Sequence, residues 1–294
     1  MKVDRIAIIG AGVAGMAAAI QLSRYNIKPV IFEREMPGGL LRNARLVENY
    51  PGFPEGISGV DLSALFQVQF EQSSHELRNE NVMRLDIDKE KFLVETEADI
   101  YYFDRVIVAS GTVPKNPQCH IDEDAASLVR SDILELRNLS GQRVAIAGAG
   151  DAAFDYALTL CLNNEVIIMN RGEDAKCIDI LFSEASEKPN IRYLKNTEVC
   201  CIRKIPSGLR LECKSDGLNA RIDVNNMIFA IGREPCIGFI SDEINSRINE
   251  LKQSEVLIFA GDVINGILRQ TAIAAGDGVA AAMRIVKDYG GNED

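Results

Sequence analysis

RIAIIGAGVAGMAAAIQLSRYNIKPVIFE, residues 5–33, decides the fold of this chain. Apolar residues run together over 5–10, as in a strand buried on both faces. The alanine-rich stretch 13–25 has helical composition, and 28–33 (KPVIFE) reads as the next parallel strand. Gly10-x-Gly12-x-x-Gly15 stands between the first strand and the helix. In such a turn the first glycine permits the tight bend. The second lets the backbone approach a diphosphate, and the third lets the helix pack close to the strand. The helix N-terminus then presents free N–H groups and the positive end of its dipole to the anion. Glu33 ends the second strand, where a carboxylate can accept hydrogen bonds from both hydroxyls of an adenosine ribose. The segment therefore reads as a βαβ dinucleotide-binding unit.

The pattern occurs twice. Residues 143–148 (RVAIAG), 151–163 and 165–170 (EVIIMN) repeat the order strand, helix, strand, with Gly148 and Gly150 in the turn and Ala153 in place of the third glycine. The step that leads from Gly10 to Glu33, taken again from Gly148, arrives at Arg171. A guanidinium there accommodates a 2′-phosphate and does not reward a bare hydroxyl, which favours NADP and leaves NAD possible.

Around these units lie a Gly-, Pro- and Asn-rich loop at 37–56 and a helix expected over 59–79. Strand-like runs follow at 92–96 and 105–109, then short alternating strands within 191–231. A last strand at 256–262 precedes an alanine-rich helix from about 270 to 288. Phe259-Ala-Gly261-Asp262 ends that strand, and Arg269-Gln270-Thr271 opens the helix. Asp262 could bind a polyol hydroxyl, or serve only as a turn residue. The helix start could stabilise negative charge on a reduced flavin ring.

Composition narrows the function classes. The 294 residues carry a formal net charge of −11, which argues against nucleic acid as the main partner. There is no basic amphipathic helix and no apolar run approaching the ~20 residues of a membrane span. The first 22 residues have the look of a signal peptide, but Asp4 and the three glycines favour strand, turn and helix, so a cytoplasmic protein is expected. Seven cysteines (119, 161, 177, 200, 201, 213 and 236) form no C-x-x-C, and with two histidines no zinc-type spacing can be built. They read as reduced thiols, with no metal site, and Cys200-Cys201 as strand packing.

Taken together, Gly10-x-Gly12-x-x-Gly15, Glu33, Gly38-Gly39, Glu48-Asn49-Tyr50-Pro51-Gly52-Phe53, Ala230-x-Gly232-Arg233-x-Pro235, Gly261-Asp262 and Arg269-Gln270 resemble the thioredoxin reductase family, in order and over nearly the whole chain. The resemblance implies an α/β fold of two Rossmann-like three-layer domains. An FAD domain (1–115 and 237–294) would hold an inserted NAD(P) domain (116–236), and the protein would be a homodimer. It assigns FAD contacts to Gly10, Gly12, Gly15, Glu33, Gly39, Asn49, Asp262, Arg269, Gln270 and Thr271, with Gly261 beside them. It assigns nicotinamide-nucleotide contacts to Gly148, Gly150, Ala152, Arg171 and Gly232.

One departure bears on activity. Thioredoxin reductases carry a C-x-x-C shortly before the second glycine-motif strand, where this chain reads Val129-Arg-Ser-Asp-Ile-Leu-Glu, and residues 36–60 contain no cysteine either. Disulfide exchange needs an attacking thiolate and a second thiol to resolve the mixed disulfide. The expectation is an FAD-dependent NAD(P)H oxidoreductase without an internal dithiol, the flavin being its redox centre. Thioredoxin reductase-like ferredoxin–NADP reductases also lack the dithiol, so ferredoxin is the first acceptor expected, with flavodoxin, a quinone or free flavin also admissible. Two alternatives stand beside it. One is a disulfide reductase that uses the flavin directly or a partner's thiols; the other is a cofactor-binding redox sensor without turnover.

Overall fold

The computed structural model describes residues 4–288. The chain divides into two compact units. The first comprises residues up to Arg42, Leu46–Val113 and the chain from Glu234 onward; the second comprises Asn43–Arg45 and Pro114–Arg233.

The first unit is built on a parallel sheet that has, among the described residues, five strands in the spatial order Leu257–Phe259, Arg105–Val108, Ile6–Ile9, Val30–Phe32, Glu76–Arg78. Strands this short and apolar suit a sheet covered on both faces. One cover is the antiparallel sheet Val82–Asp88, Lys91–Thr96 and Ile100–Phe103. Ala7, Ile9, Val30, Phe32, Val106 and Val108 pack against its Leu85, Phe92, Val94 and Phe103. Side chains alternate along a strand, so Ile6, Ile8 and Ile31, all fully buried, face the opposite way. The helices Val13–Ser23 and Thr271–Lys287 pack on each other. Their approach is set by Gly278, where a Cβ would collide with the carbonyl oxygen of Ala14.

The second unit repeats the plan. Its parallel sheet runs Val129–Arg130, Asn226–Phe229, Arg143–Ala147, Glu165–Met169, Ile191–Leu194. Val144, Ile146, Val166, Ile168 and Ile228 meet the helices Asp151–Leu160 and Asp179–Ser186 through Ala153, Phe154, Ala157, Leu158 and Ala185. Ala145, Ala147, Ile167, Met169, Met227 and Phe229 face an antiparallel sheet through Val199, Ile202, Leu209, Leu211 and Val224. Each unit is thus the three-layer α/β arrangement read from its glycine-turn segment.

Two element expectations change. The helix expected over 59–79 ends at Glu71, and Glu76–Arg78 is instead the edge strand of the parallel sheet, paired with Val30–Phe32. The Ser73 hydroxyl donates to the Phe70 carbonyl at 2.6 Å and the His75 ring stacks on Phe70 at 3.9 Å, so side chains close the turn after the helix. The strand Val82–Asp88 escaped the reading because a register shift between Val82 and Arg84 breaks its alternation.

Candidate functional site

In the first unit the glycine turn is held by backbone contacts that leave no room for side chains. Gly10 has φ +100° and a Cβ there would lie 2.5 Å from the Ala109 carbonyl oxygen. This is a left-handed conformation that glycine alone adopts cheaply. A Cβ on Gly15 would collide with the Gly10 carbonyl oxygen, so the helix rests directly on the turn. Gly12 differs: a Cβ there would meet nothing within 4 Å. It is the N-cap of Val13–Ser23 with extended backbone and no side-chain cap. By contrast, Ser58 and Ser241 cap their helices by accepting from the N–H groups of Asp61 and Ile244. The open space at Gly12 and the uncapped first turn fit a diphosphate held by backbone N–H groups.

The other residues expected at this site gather round it. The Gly38 N–H donates to the Ala11 carbonyl at 2.9 Å, and a Cβ on Gly39 would lie 3.2 Å from the Gly12 Cα. Gly38 and Gly39 therefore lie over the glycine turn. Glu33 follows Phe32 directly; its carboxylate accepts from the Ala11 N–H at 2.8 Å and the Glu35 N–H at 3.0 Å. Those bonds fix its orientation and leave each oxygen a further lone pair for a ribose hydroxyl. The chain's other end joins here: a Cβ on Gly261 would lie 2.8 Å from the Ala14 Cβ. Asp262 sits in the short 3-10 turn Gly261–Val263. Asn49 donates through Nδ2 to Gln270 Oε1 at 2.8 Å, which ties the loop-rich segment to the start of the closing helix. Gln270 is that helix's N-cap without a side-chain cap, Thr271 is its first residue, and Arg269 precedes them half-buried.

Sequence reasoning missed Asp277. Its Oδ2 accepts from the Gly261 N–H at 3.1 Å and from Asn265 Nδ2 at 2.6 Å, which pins the Gly261–Asp262 turn to the closing helix. An aspartate inside a helix-like run gives no local sign of a partner on the preceding loop.

The second unit carries the same construction. Gly148 has φ +135°, and a Cβ there would collide with the Ala230 carbonyl oxygen. Gly150 has open space where a Cβ would stand and is the uncapped N-cap of Asp151–Leu160, in which Ala152 is exposed. Gly232 lies beside Lys115, whose N–H donates to its carbonyl at 3.1 Å.

Arg171 needs a correction of register. The Gly10 N–H donates to the Phe32 carbonyl and the Gly148 N–H to the Met169 carbonyl, so Asn170, not Arg171, stands where Glu33 stands. The second unit is one residue shorter between turn and strand end, a difference that counting along the chain cannot see. Asn170 is buried and structural: its Nδ2 donates to Tyr193 Oη and the Asp174 carbonyl, and its Oδ1 accepts from the Gly172 N–H. Arg171 lies one step further out and is exposed. A second cation comes with it: the Lys176 N–H donates to the Ala149 carbonyl at 2.7 Å, which folds the 171–178 loop back onto the glycine turn. Lys195 pairs with Glu173 at 3.1 Å.

Residues 4–278 match the pyridine nucleotide-disulphide oxidoreductase family model. The chain belongs to that family. Thioredoxin reductase 2 of Arabidopsis thaliana is 29% identical, over 95% of this chain and 80% of the relative. Thioredoxin reductase of Mycolicibacterium smegmatis is 28% identical over 96% and 95%. Among solved structures, thioredoxin reductase from T. acidophilum matches with a TM-score of 0.83 at 25% identity, covering 97% of this chain and 98% of that one. The fold is shared with bacillithiol disulfide reductase from Bacillus cereus, at TM-score 0.76 and 20% identity over 97% and 99%. The protein is an FAD-dependent NAD(P)H oxidoreductase of the thioredoxin reductase-like kind, with FAD and NADP as its cofactors. The ferredoxin expectation gains no support from these relatives, which are thioredoxin reductases by name. No helix among the described residues is long and apolar enough to cross a membrane.

Proposed function

We propose that this chain carries electrons from NADPH, through bound FAD, to a disulfide that reaches the flavin directly or through the thiols of a partner such as a thioredoxin. The observation that carries the cofactor placement is the pair of uncapped, open N-caps at Gly12 and Gly150. The disulfide end rests on family membership and on the relatives' names. FAD, when bound, supplies the two-electron chemistry; the protein supplies binding, orientation and electrostatics.

In this reading the first unit binds FAD. The N–H groups after Gly12 hold the diphosphate, with Gly10, Gly15 and Gly39 shaping the turn, and Glu33 accepts from the ribose. Asn49, Asp262, Arg269 and Gln270 orient the remainder, with Gly261 shaping their turn. The Thr271 helix start places its free N–H groups where negative charge on the ring is favoured. The second unit binds NADPH by Gly148, Gly150 and Ala152, with Gly232 beside the nicotinamide. Arg171 and Lys176 hold the 2′-phosphate, in place of the carboxylate that would select a free hydroxyl. The protein works as a cytoplasmic homodimer.

Anaerobic mixing with NADPH and NADH side by side, followed by thioredoxin, small disulfides and ferredoxin as acceptors, tests this. Flavin bleaching by NADPH and turnover with a disulfide are expected. The absence of a C-x-x-C keeps ferredoxin as the second reading, and turnover with ferredoxin but with no disulfide would establish it in place of ours. Failure of NADPH to bleach the flavin would show a cofactor-binding sensor instead.

A further inference from the structure

The helix Gly59–Glu71 buries Leu62, Ser63 and Phe70 and half-buries Phe66 and Gln67, one face at the helical repeat. Ser63 and Gln67 are the polar members of that face and stand one turn apart. Both meet the segment that carries Gly38 and Gly39. Gln67 donates through Nε2 to the Pro37 carbonyl. Ser63 stands against the next residue, because a Cβ on Gly38 would collide with its Oγ. Ser63 is 1% exposed, yet among the described residues its hydroxyl has no hydrogen-bond partner.

Other hydroxyls inside helices of this protein satisfy themselves locally. Thr159 donates to the Asp155 carbonyl at 3.0 Å and Ser186 to the Phe182 carbonyl at 2.7 Å, each one turn back. Ser63 leaves the carbonyl one turn back unused and is directed at Gly38. A buried hydroxyl without a partner lowers stability, so this one calls for an acceptor that arrives from outside the chain. Its surroundings define the kind of acceptor. Gly39 lies against Gly12, so the open space at that N-cap begins one residue from Gly38. Arg42 folds over the same place: a Cβ on Gly38 would lie 3.2 Å from its Cδ, and its Nε donates to the Gly39 carbonyl at 3.4 Å. A hydroxyl donor, a cation and the free N–H groups of a helix start together favour an anion with acceptor oxygens.

We propose that Ser63 positions FAD by donating a hydrogen bond to a diphosphate oxygen, directly or across one ordered water. The inference rests on the reading that the diphosphate lies over Gly12. The glycines of that site make room, whereas Ser63 supplies a donor from a helix outside the glycine turn. In the apoprotein its hydroxyl is a buried group without a partner; with FAD bound it becomes a hydrogen bond to a charged group. The competing account is steric: position 63 is small because the helix comes close to Gly38. Alanine at position 63 keeps the small size and removes the hydroxyl alone, so the two accounts predict different behaviour.

The test compares Ser63→Ala with the wild type and with Gly12→Ala. Each full chain is stripped of flavin and titrated with FAD, and binding is read from flavin fluorescence. Ser63→Ala should raise the dissociation constant for FAD about ten- to hundredfold, the factor expected for a hydrogen bond to a charged group. Its apoprotein should unfold in urea at the wild-type midpoint or above it, because a buried group without a partner has gone. A lower apoprotein midpoint would overturn the proposal, since the hydroxyl would then have a partner without FAD. Wild-type FAD affinity in Ser63→Ala, with Gly12→Ala weakened, would also overturn it and leave Ser63 a matter of close packing. If Gly12→Ala binds FAD as the wild type does, the diphosphate lies elsewhere, and the proposal falls with the reading beneath it.

Discussion

Gly12 and Gly15 are three residues apart and serve opposite ends. Ala at position 15 would place its Cβ against the Gly10 carbonyl oxygen, so Gly15→Ala should lower stability by roughly 1–3 kcal/mol through overpacking. Ala at position 12 enters open space. Gly12→Ala should leave the unfolding midpoint of the apoprotein nearly unchanged while the purified protein carries less FAD. Urea unfolding and the flavin-to-protein absorbance ratio distinguish the two effects, and equal loss of stability would contradict this division. In the second unit, Arg171→Ala or Lys176→Ala should each raise KM for NADPH about ten- to hundredfold. That follows from about 1.5–3 kcal/mol for a hydrogen bond to a charged group. KM for NADH should not move, because that cofactor lacks the 2′-phosphate. A parallel rise for both would place these cations outside the phosphate site.

Among the elements, the closing helix Thr271–Lys287 depends on one close approach. Gly278→Ala drives a methyl into the Ala14 carbonyl and must part the two helices. Because Gly261 and Asp277 sit on the same side of this packing, the variant should lose both melting temperature and FAD content. Thermal scans of apo and flavin-loaded protein would show it. The junction after Gly59–Glu71 carries a pH effect. Burial against Phe70 lowers the pKa of His75, opposed by a hydrogen bond that the ring donates to the Ser73 backbone and modified by nearby Lys28 and Glu71. A histidine whose folded pKa is depressed contributes stability above its unfolded value near 6.5, and loses it as pH falls through that value toward the folded one. Urea midpoints should therefore fall on acidification below about pH 6.5, and His75→Asn should flatten that part of the profile. An unchanged slope in the variant would assign the acid sensitivity to other groups.

At the level of the molecule, the two units share one construction: a parallel sheet, a glycine turn and an antiparallel sheet covering one face. Duplication of architecture does not mean duplication of chemistry. A carboxylate, Glu33, follows the second strand of the first unit, whereas a neutral amide, Asn170, with cations beyond it, occupies that place in the other. The proposed assembly predicts a light-scattering mass of twice the chain in dilute buffer, and a monomer mass would contradict it.

The amino-acid sequence determined the two strand–turn–helix units and the residues of both turns, because buried parallel strands and glycine turns are local patterns. It also held the absence of a C-x-x-C. The role of Asp277, the approach of Gly278 to Ala14 and the meeting of Asn49 with Gln270 came only from tertiary structure, since their partners are distant in the chain. So did the register that puts Asn170 where Arg171 was expected, and the bulge that exposes Cys200. A strand pairing one residue out of step changes which side chain reaches a site, and only hydrogen bonds between strands fix that step.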